Sequence, residues 1–128
     1  MTRRINIVTG SKWEKLAGFS RLVRIDNIIE VAGTTAGFEN GKVVGGKSAY
    51  KQTISTLTKI GKVLLDAGAT TEDVIRTRIY VTDKKYAEEV AKAHKDFFKE
   101  INPAATLVVI QALAEDELLV EIEATAVV

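Results

Sequence analysis

From Leu118 to Val127 the chain alternates without a break. Leu118, Val120, Ile122, Ala124 and Ala126 point one way, and Leu119, Glu121, Glu123, Thr125 and Val127 point the other. A β-strand that is half apolar and half carboxylate-bearing must choose which of its faces is core. Just upstream, Pro103 stops the preceding element and Ala105 to Gln111 reads as a second strand. That strand is apolar on both sides, with Thr106, Val108, Ile110 and Ala112 opposed by Leu107, Val109 and Leu113. With the acidic turn Glu115-Asp116-Glu117 between them, the two segments read as a hairpin. One face of it is covered inside the subunit, and the other needs a cover from outside.

The upstream chain supplies the inside cover. Arg4 to Val8 reads as a short strand. Phe19 to Ile25 and Ile28 to Thr35 read as an antiparallel pair joined at Asp26-Asn27, residue types that tolerate a left-handed backbone. Gly37, Asn40-Gly41 and Gly45-Gly46 punctuate the next stretch as turns. Ser48 suits the N-cap of a helix whose apolar stripe is Tyr50, Ile54, Leu57, Ile60 or Gly61, and Leu64, ended by Gly68. Val74 to Thr82 is a strand, with Ile75, Thr77, Ile79 and Val81 on one face and Arg76, Arg78, Tyr80 and Thr82 on the other. Asp83 caps a second helix with the stripe Tyr86, Val90, Ala93 and Phe97, and Pro103 follows it. The expectation is a single α+β domain over residues 1–128: a mixed six-stranded sheet with two helices on one face.

Two helices cover one sheet face only. Apolar residues left on the other face, together with Glu121, Glu123, Arg76 and Arg78, predict self-association into a closed ring. Eighteen basic and seventeen acidic residues leave a net charge of +1 with no basic stripe, so no nucleic-acid footprint is expected. The absence of cysteine excludes disulfides, thiolate metal sites and cysteine nucleophiles, and one histidine, His94, supplies no zinc cluster. No cofactor or metal is expected. The start Met1-Thr2-Arg3-Arg4-Ile5-Asn6 has charge without the apolar stretch of a secretory signal, and no run spans a bilayer, so the expected location is the cytoplasm, off the membrane.

Few residues carry chemistry. Glu121 and Glu123 share a sheet face; either they are solvated, or one lines a subunit cleft where burial raises its pKa and fits it to handle a proton. Arg76 and Arg78 either clamp an acidic ligand or meet those glutamates across an interface. Gly33-Thr34-Thr35 ends a strand with small residues, permitting close approach of a ligand, or is a plain exit from the sheet. Gly45-Gly46 lacks the lysine and hydroxyl of a phosphate loop and is rejected as one. His94 reads as a helix residue without a catalytic partner, and Phe19, Phe38, Phe97 and Phe98 read as packing.

The order Gly18-Phe19-Ser20-Arg21, Val31-Ala32-Gly33-Thr34-Thr35, Val74-Ile75-Arg76-Thr77-Arg78-Ile79-Tyr80-Val81-Thr82-Asp83, Asn102-Pro103-Ala104-Ala105-Thr106 and Val120-Glu121-Ile122-Glu123-Ala124 resembles the reactive-intermediate deaminase (Rid, or YjgF-type) family over nearly the whole chain. The resemblance implies a chorismate-mutase-like fold, a homotrimer, and inter-subunit clefts for small carboxylates or keto acids. Active members hydrolyse enamine and imine intermediates such as 2-aminoacrylate to keto acids and ammonia without a metal. By the same resemblance Glu121 places the attacking water as the catalytic residue. Phe19, Gly33, Thr34 and the segment Ala105-Thr106 border the substrate. An arginine two positions after the proline holds the substrate carboxylate in those members; here that position is Ala105, and a methyl group makes none of its charge-assisted bonds. Two alternatives stand beside this reading: an endoribonuclease or translation-inhibitor activity of the L-PSP kind, and a regulatory binding protein without catalysis.

Overall fold

The structure, a computed structural model, describes residues 3–128; Met1 and Thr2, the first residues of the charged start considered above, lie outside the described residues. Six strands form one sheet in the order β1-β2-β3-β8-β6-β7. They are β1 (Arg4–Ile7), β2 (Leu22–Ile25), β3 (Ile28–Thr34), β6 (Val74–Val81), β7 (Ala104–Val109) and β8 (Val120–Val127), and a two-residue pair, β4 (Phe38–Glu39) with β5 (Lys42–Val43), stands apart. Every pairing in the large sheet is antiparallel except β6 with β7. Helices α2 (Ala49–Asp66) and α3 (Ala87–Phe98) carry the buried residues that face the sheet, and a six-residue helix α1 (Lys12–Ala17) links β1 to β2. The α+β class, the single mixed sheet and the two main helices agree with the sequence reading.

The terminal hairpin does not form. β8 inserts between β3 and β6, pairing Ile28 with Val127 on one side and Ile79 with Ile122 on the other, while β7 runs parallel to β6 on its far edge. The reason is the connector. Residues 110–119 are too many, and carry the wrong residues, for the two-residue turns that hold neighbouring strands in register. A ten-residue link passes over β6 instead. β8 then has both edges hydrogen-bonded, and its alternation is read out in full: Leu118, Val120, Ile122, Ala124 and Ala126 are at most 4% exposed.

Other departures have local causes. A bulge in β6 between Val74 and Arg76 shifts the phase, so Val74 is buried and Ile75 is half exposed. The buried stripe of α2 is Ala49, Gln52, Thr53, Thr56, Leu57, Ile60 and Leu64; Tyr50 and Ile54 lie at its margin. Three polar residues belong to the core because their own turns and neighbours satisfy them. Thr53 and Thr56 donate to the carbonyls four residues back, both at 2.8 Å. Gln52 donates to Gly46 and Glu117 carbonyls at 2.7 and 2.9 Å and accepts from Leu119 N–H at 2.9 Å. That amide ties the acidic connector to α2. Gly45 is needed beside it, since its φ is +92° and a Cβ there would stand 2.8 Å from the Gln52 nitrogen.

Ser48 caps α2 as expected, accepting from Lys51 N–H at 3.1 Å, and Asp26 takes the left-handed turn at φ +53°. Asp83 caps a 3-10 turn over Lys84–Tyr86 that feeds α3, whose buried residues are Val90, Ala93 and Phe98, with Phe97 only half-buried. Burying Leu22, Ile29, Leu57, Ile60, Leu64, Phe98 and Ile122 almost completely stabilises the fold by about 1.5–3 kcal/mol each before entropy is counted.

No helix among the described residues is long and apolar enough to cross a membrane. The sheet face turned away from the helices bears Ile25, Ile28, Val108 and Val127, between 37% and 52% exposed. Polar groups are interleaved there. Arg78 lies 3.6 Å from Glu123 and donates to Thr125 Oγ1 at 3.5 Å, Thr125 donates to Glu30 at 2.7 Å, and Arg76 donates to Thr106 at 2.7 Å.

Candidate functional site

At the end of the sheet where β3 leaves it, a cleft of about 520 Å³ opens between α1, the Gly33–Thr35 strand end, the start of β8 and the acidic connector. Glu121, Gly33, Phe19 and Arg21 line it, with Trp13 and Glu14 from α1, Thr35, Phe38, Lys59, and Glu115 and Leu118 from the connector.

Glu121 owes its place to the pleat and to one glycine. It is on the uncovered sheet face by the alternation of β8, and its side chain lies against the backbone of β3. A Cβ on residue 33 would stand 2.9 Å from both the Glu121 carboxyl carbon and Oε2. Only a glycine lets the carboxyl rest there. Burial pushes the Glu121 pKa up; the Arg21 charge opposes that and the Glu123 charge adds to it.

Behind Glu121 stands a second carboxylate of opposite character. Glu14 is 4% exposed and accepts from Thr9 N–H at 2.8 Å, Thr9 Oγ1 at 2.5 Å and Gly10 N–H at 3.2 Å. Burial alone would raise its pKa, but these donors overcome it and bring the value down to about 2. Glu14 is therefore a fixed negative charge. The segment Ser11-Lys12-Trp13-Glu14 is the signal that was open to a reader of the sequence: serine followed three residues later by glutamate marks a helix start. Ser11 does cap α1, accepting from Glu14 N–H at 3.2 Å, although the glutamate reaches past the cap to Thr9 and Gly10.

Arg21 and Lys59 bring two cations into the cleft. Arg21 Nε sits 3.5 Å from Glu14 Oε2, its guanidinium lies 5.3 Å from the Phe19 ring centroid, and Nη1 makes a long 3.4 Å bond to Thr34 Oγ1. Lys59 reaches round from α2 and donates to the Thr35 carbonyl at 2.9 Å. Burial and the neighbouring Arg21 charge hold its pKa below the usual lysine range. Sequence reasoning gave neither a site role, because a lysine on the polar side of a helix and an arginine within an expected strand look like ordinary surface residues.

Of the residues expected at the site, the structure brings Glu121, Phe19 and Gly33 together. Thr34 is buried beneath the sheet, donating to the Ala32 carbonyl at 2.8 Å; the register shift in β3 between Val31 and Thr34 gives the cleft Thr35 instead. Ala105 and Thr106 are on β7, paired with Thr77 and Arg78 of β6, whereas Glu121 pairs with Tyr80. Two strands across and three residues along put Ala105 on the order of 14 Å from Glu121 within one chain. Arg76 and Arg78 spend their contacts on Thr106, Glu123 and Thr125 and do not line this cleft. His94 is outside it as well: Nε2 lies 2.8 Å from Thr77 Oγ1 and the ring packs 4.7 Å from Phe98, tying α3 to the sheet. Among the described residues no group of three or more His, Asp or Glu is disposed to hold a metal ion.

Comparison with known proteins agrees with this architecture. A family model described as Endoribonuclease L-PSP matches residues 9–128. The protein SCO2049 of Streptomyces coelicolor is 33% identical over 120 residues, covering 94% of this chain and 89% of that one. The 3-aminoacrylate deaminase RutC of Acinetobacter baylyi is 30% identical over 111 residues, covering 87% of each chain. The crystal structure of Rv2704 from Mycobacterium tuberculosis, a member of the YjgF/YER057c/UK114 family, superposes with a TM-score of 0.88 at 42% identity, covering 98% of this chain and 99% of that one. Fold, sequence and the match across all but the first residues lead to one conclusion: the chain belongs to the Endoribonuclease L-PSP family, the YjgF or Rid group.

Proposed function

We propose that this protein assembles as a homotrimer whose clefts bind a small carboxylate-bearing metabolite, and that Glu121 serves there in the hydrolysis of an imine or enamine to a keto acid and ammonia. The observation that carries the reading is the Glu121 carboxyl, set against Gly33 in a cleft and with its pKa raised by burial. A carboxylate whose pKa moves toward neutrality gives and takes protons effectively at physiological pH. In the imine tautomer, water attacks the C=N carbon while Glu121 takes a proton from it. Return of that proton to nitrogen gives the carbinolamine, and transfer of its hydroxyl proton to nitrogen through Glu121 then breaks the C–N bond, so ammonia leaves and the carbonyl remains.

The trimer is supported by the uncovered sheet face and by family membership. Its burial would remove exposed Ile25, Ile28, Val108 and Val127 from water. RutC of Acinetobacter baylyi, by its name a 3-aminoacrylate deaminase, points to the same class of reaction. Ala105 is the departure that tests it.

The experiment is release of ammonia and keto acid from freshly generated 2-aminoacrylate, with an active relative as control. Catalysis above the buffer rate that is lost in Glu121→Gln supports the proposal; a rate equal to buffer overturns the enzymatic half and leaves a binding protein. Ala105→Arg is expected to raise the rate. Light scattering of the intact protein is expected to give three chains of 14.0 kDa. The family description also carries the ribonuclease reading, but a net charge of +1 without a basic stripe gives RNA little to hold. RNA binding that weakens steeply with salt would favour it.

A further inference from the structure

Three basic residues, Lys12, Arg21 and Lys59, and three acidic ones, Glu14, Glu115 and Glu121, line the cleft, yet the two inner cations keep donors to spare. Among the described residues, the Arg21 guanidinium makes one hydrogen bond, the long one to Thr34, and its buried Nε makes none despite lying 3.5 Å from Glu14. Lys59 takes part in no ion pair and donates to a single carbonyl. The two cations also repel each other, each in surroundings that disfavour charge. Glu14 does not relieve them further, because its oxygens already accept from Thr9 and Gly10. Glu121, its carboxyl set against Gly33, contributes a counter-charge to Arg21. At the mouth, Lys12 and Glu115 offset one another in sign. The Arg21 Nε is a buried donor without an acceptor, which is costly, and an anion beside it removes that cost.

We infer that Arg21 and Lys59 form the carboxylate-holding end of this cleft, so that the ligand is a small monocarboxylate gripped from within one chain without a guanidinium at position 105. The inference rests on the reading of the cleft proposed above and assigns the residues that hold the ligand's carboxylate. A carboxylate seated between Arg21 and Lys59 leaves the adjoining carbon facing Glu121, with Phe19 and Leu118 available to an apolar tail. A cleft of about 520 Å³ suits a metabolite of that size. Position 105 on β7 offers no cation, and two cations stand on other elements of the same chain.

Calorimetry with 2-oxobutanoate and its uncharged amide, 2-oxobutanamide, tests the assignment on the intact protein. The unsubstituted protein is expected to prefer the acid by about tenfold or more, the scale of one charge-assisted bond. Lys59→Gln and Arg21→Gln are each expected to cut that preference severalfold, and His94→Ala, outside the cleft, to retain it. Arg21→Gln also removes the Glu14 ion pair, so Arg21→Lys and Lys59→Gln carry the test should it not fold. If folded Lys59→Gln and Arg21→Lys both bind the acid as the unsubstituted protein does, with the same preference over the amide, this inference falls while the Glu121 reading stands. If the unsubstituted protein binds neither compound and hydrolyses no imine, both fall.

Discussion

Gly33 and Glu121 are neighbours that exclude any side chain between them: a Cβ on residue 33 would lie 2.9 Å from the Glu121 carboxyl carbon. The atom in the way is the end of a flexible side chain, so Gly33→Ala is expected to fold with a Tm within a few degrees of the parent, about 1 kcal/mol of change. The Glu121 carboxyl must move, however. Keto-acid affinity and any imine hydrolysis are expected to drop about tenfold or more, since the reacting group is displaced. Thermal melting alongside binding separates the two effects.

Glu121→Gln is expected to leave the protein as stable as before, or slightly more so, while abolishing hydrolysis. The sign follows from the raised pKa, caused first by burial. The native state holds the Glu121 proton more tightly than the unfolded chain. Its contribution to stability is then greatest below the ordinary carboxylate pKa and is lost as pH rises through the raised native value. Above that native value the ionised group is a burden that glutamine relieves. A Tm that falls by several degrees in this variant would contradict the assignment.

For Glu14 the sign is opposite. Its native pKa of about 2 is below the ordinary 4.5, despite the opposing effect of burial. Its stabilisation is complete above pH 4.5 and is lost as pH falls from there toward 2. Acid denaturation followed by circular dichroism is expected to begin in that window, and Glu14→Gln to flatten it. The variant also leaves Arg21 without its ion pair and is expected to lower the Tm by about 5 °C or more at neutral pH.

His94 gives a third pH signature. Burial holds its pKa below 6.5, so the neutral ring is the form that fits against Phe98 and Thr77. Stability is expected to decline as pH falls from about 6.5 through the native value. His94→Ala strands the buried Thr77 hydroxyl and is expected to cost about 1–3 kcal/mol, measured by urea unfolding, with no change in keto-acid binding. Restoring stability with Thr77→Val in the same chain would identify the hydroxyl as the source.

The alternation of β8, the caps at Ser48 and the turn at Asp26 were legible because each rests on a local rule, and local rules survive any tertiary arrangement. Strand order was not. Nothing in Ala104–Val109 or Val120–Val127 says which edge each will occupy; that depends on the length of residues 110–119 and on the slot left by β3 and β6. At the candidate site, Glu121, Gly33 and Phe19 followed from the motif order. Arg21 and Lys59 did not, because their meaning comes from being together at one end of the sheet, 38 positions apart in sequence. Thr34 and Thr35 exchanged places through a bulge, which no alternation pattern announces.

β8 follows every other strand in sequence yet occupies the middle of the sheet. During synthesis, then, β1-β2-β3 and β6-β7 emerge as two separate ribbons whose facing edges stay open until residues 120–127 are released. Contacts as remote as Ile28 with Val127 make the final closure slow, as pairings of high sequence separation are. The same late strand delivers Glu121, so the interval in which the two ribbons are most exposed to wrong partners ends at the moment the cleft acquires its acid.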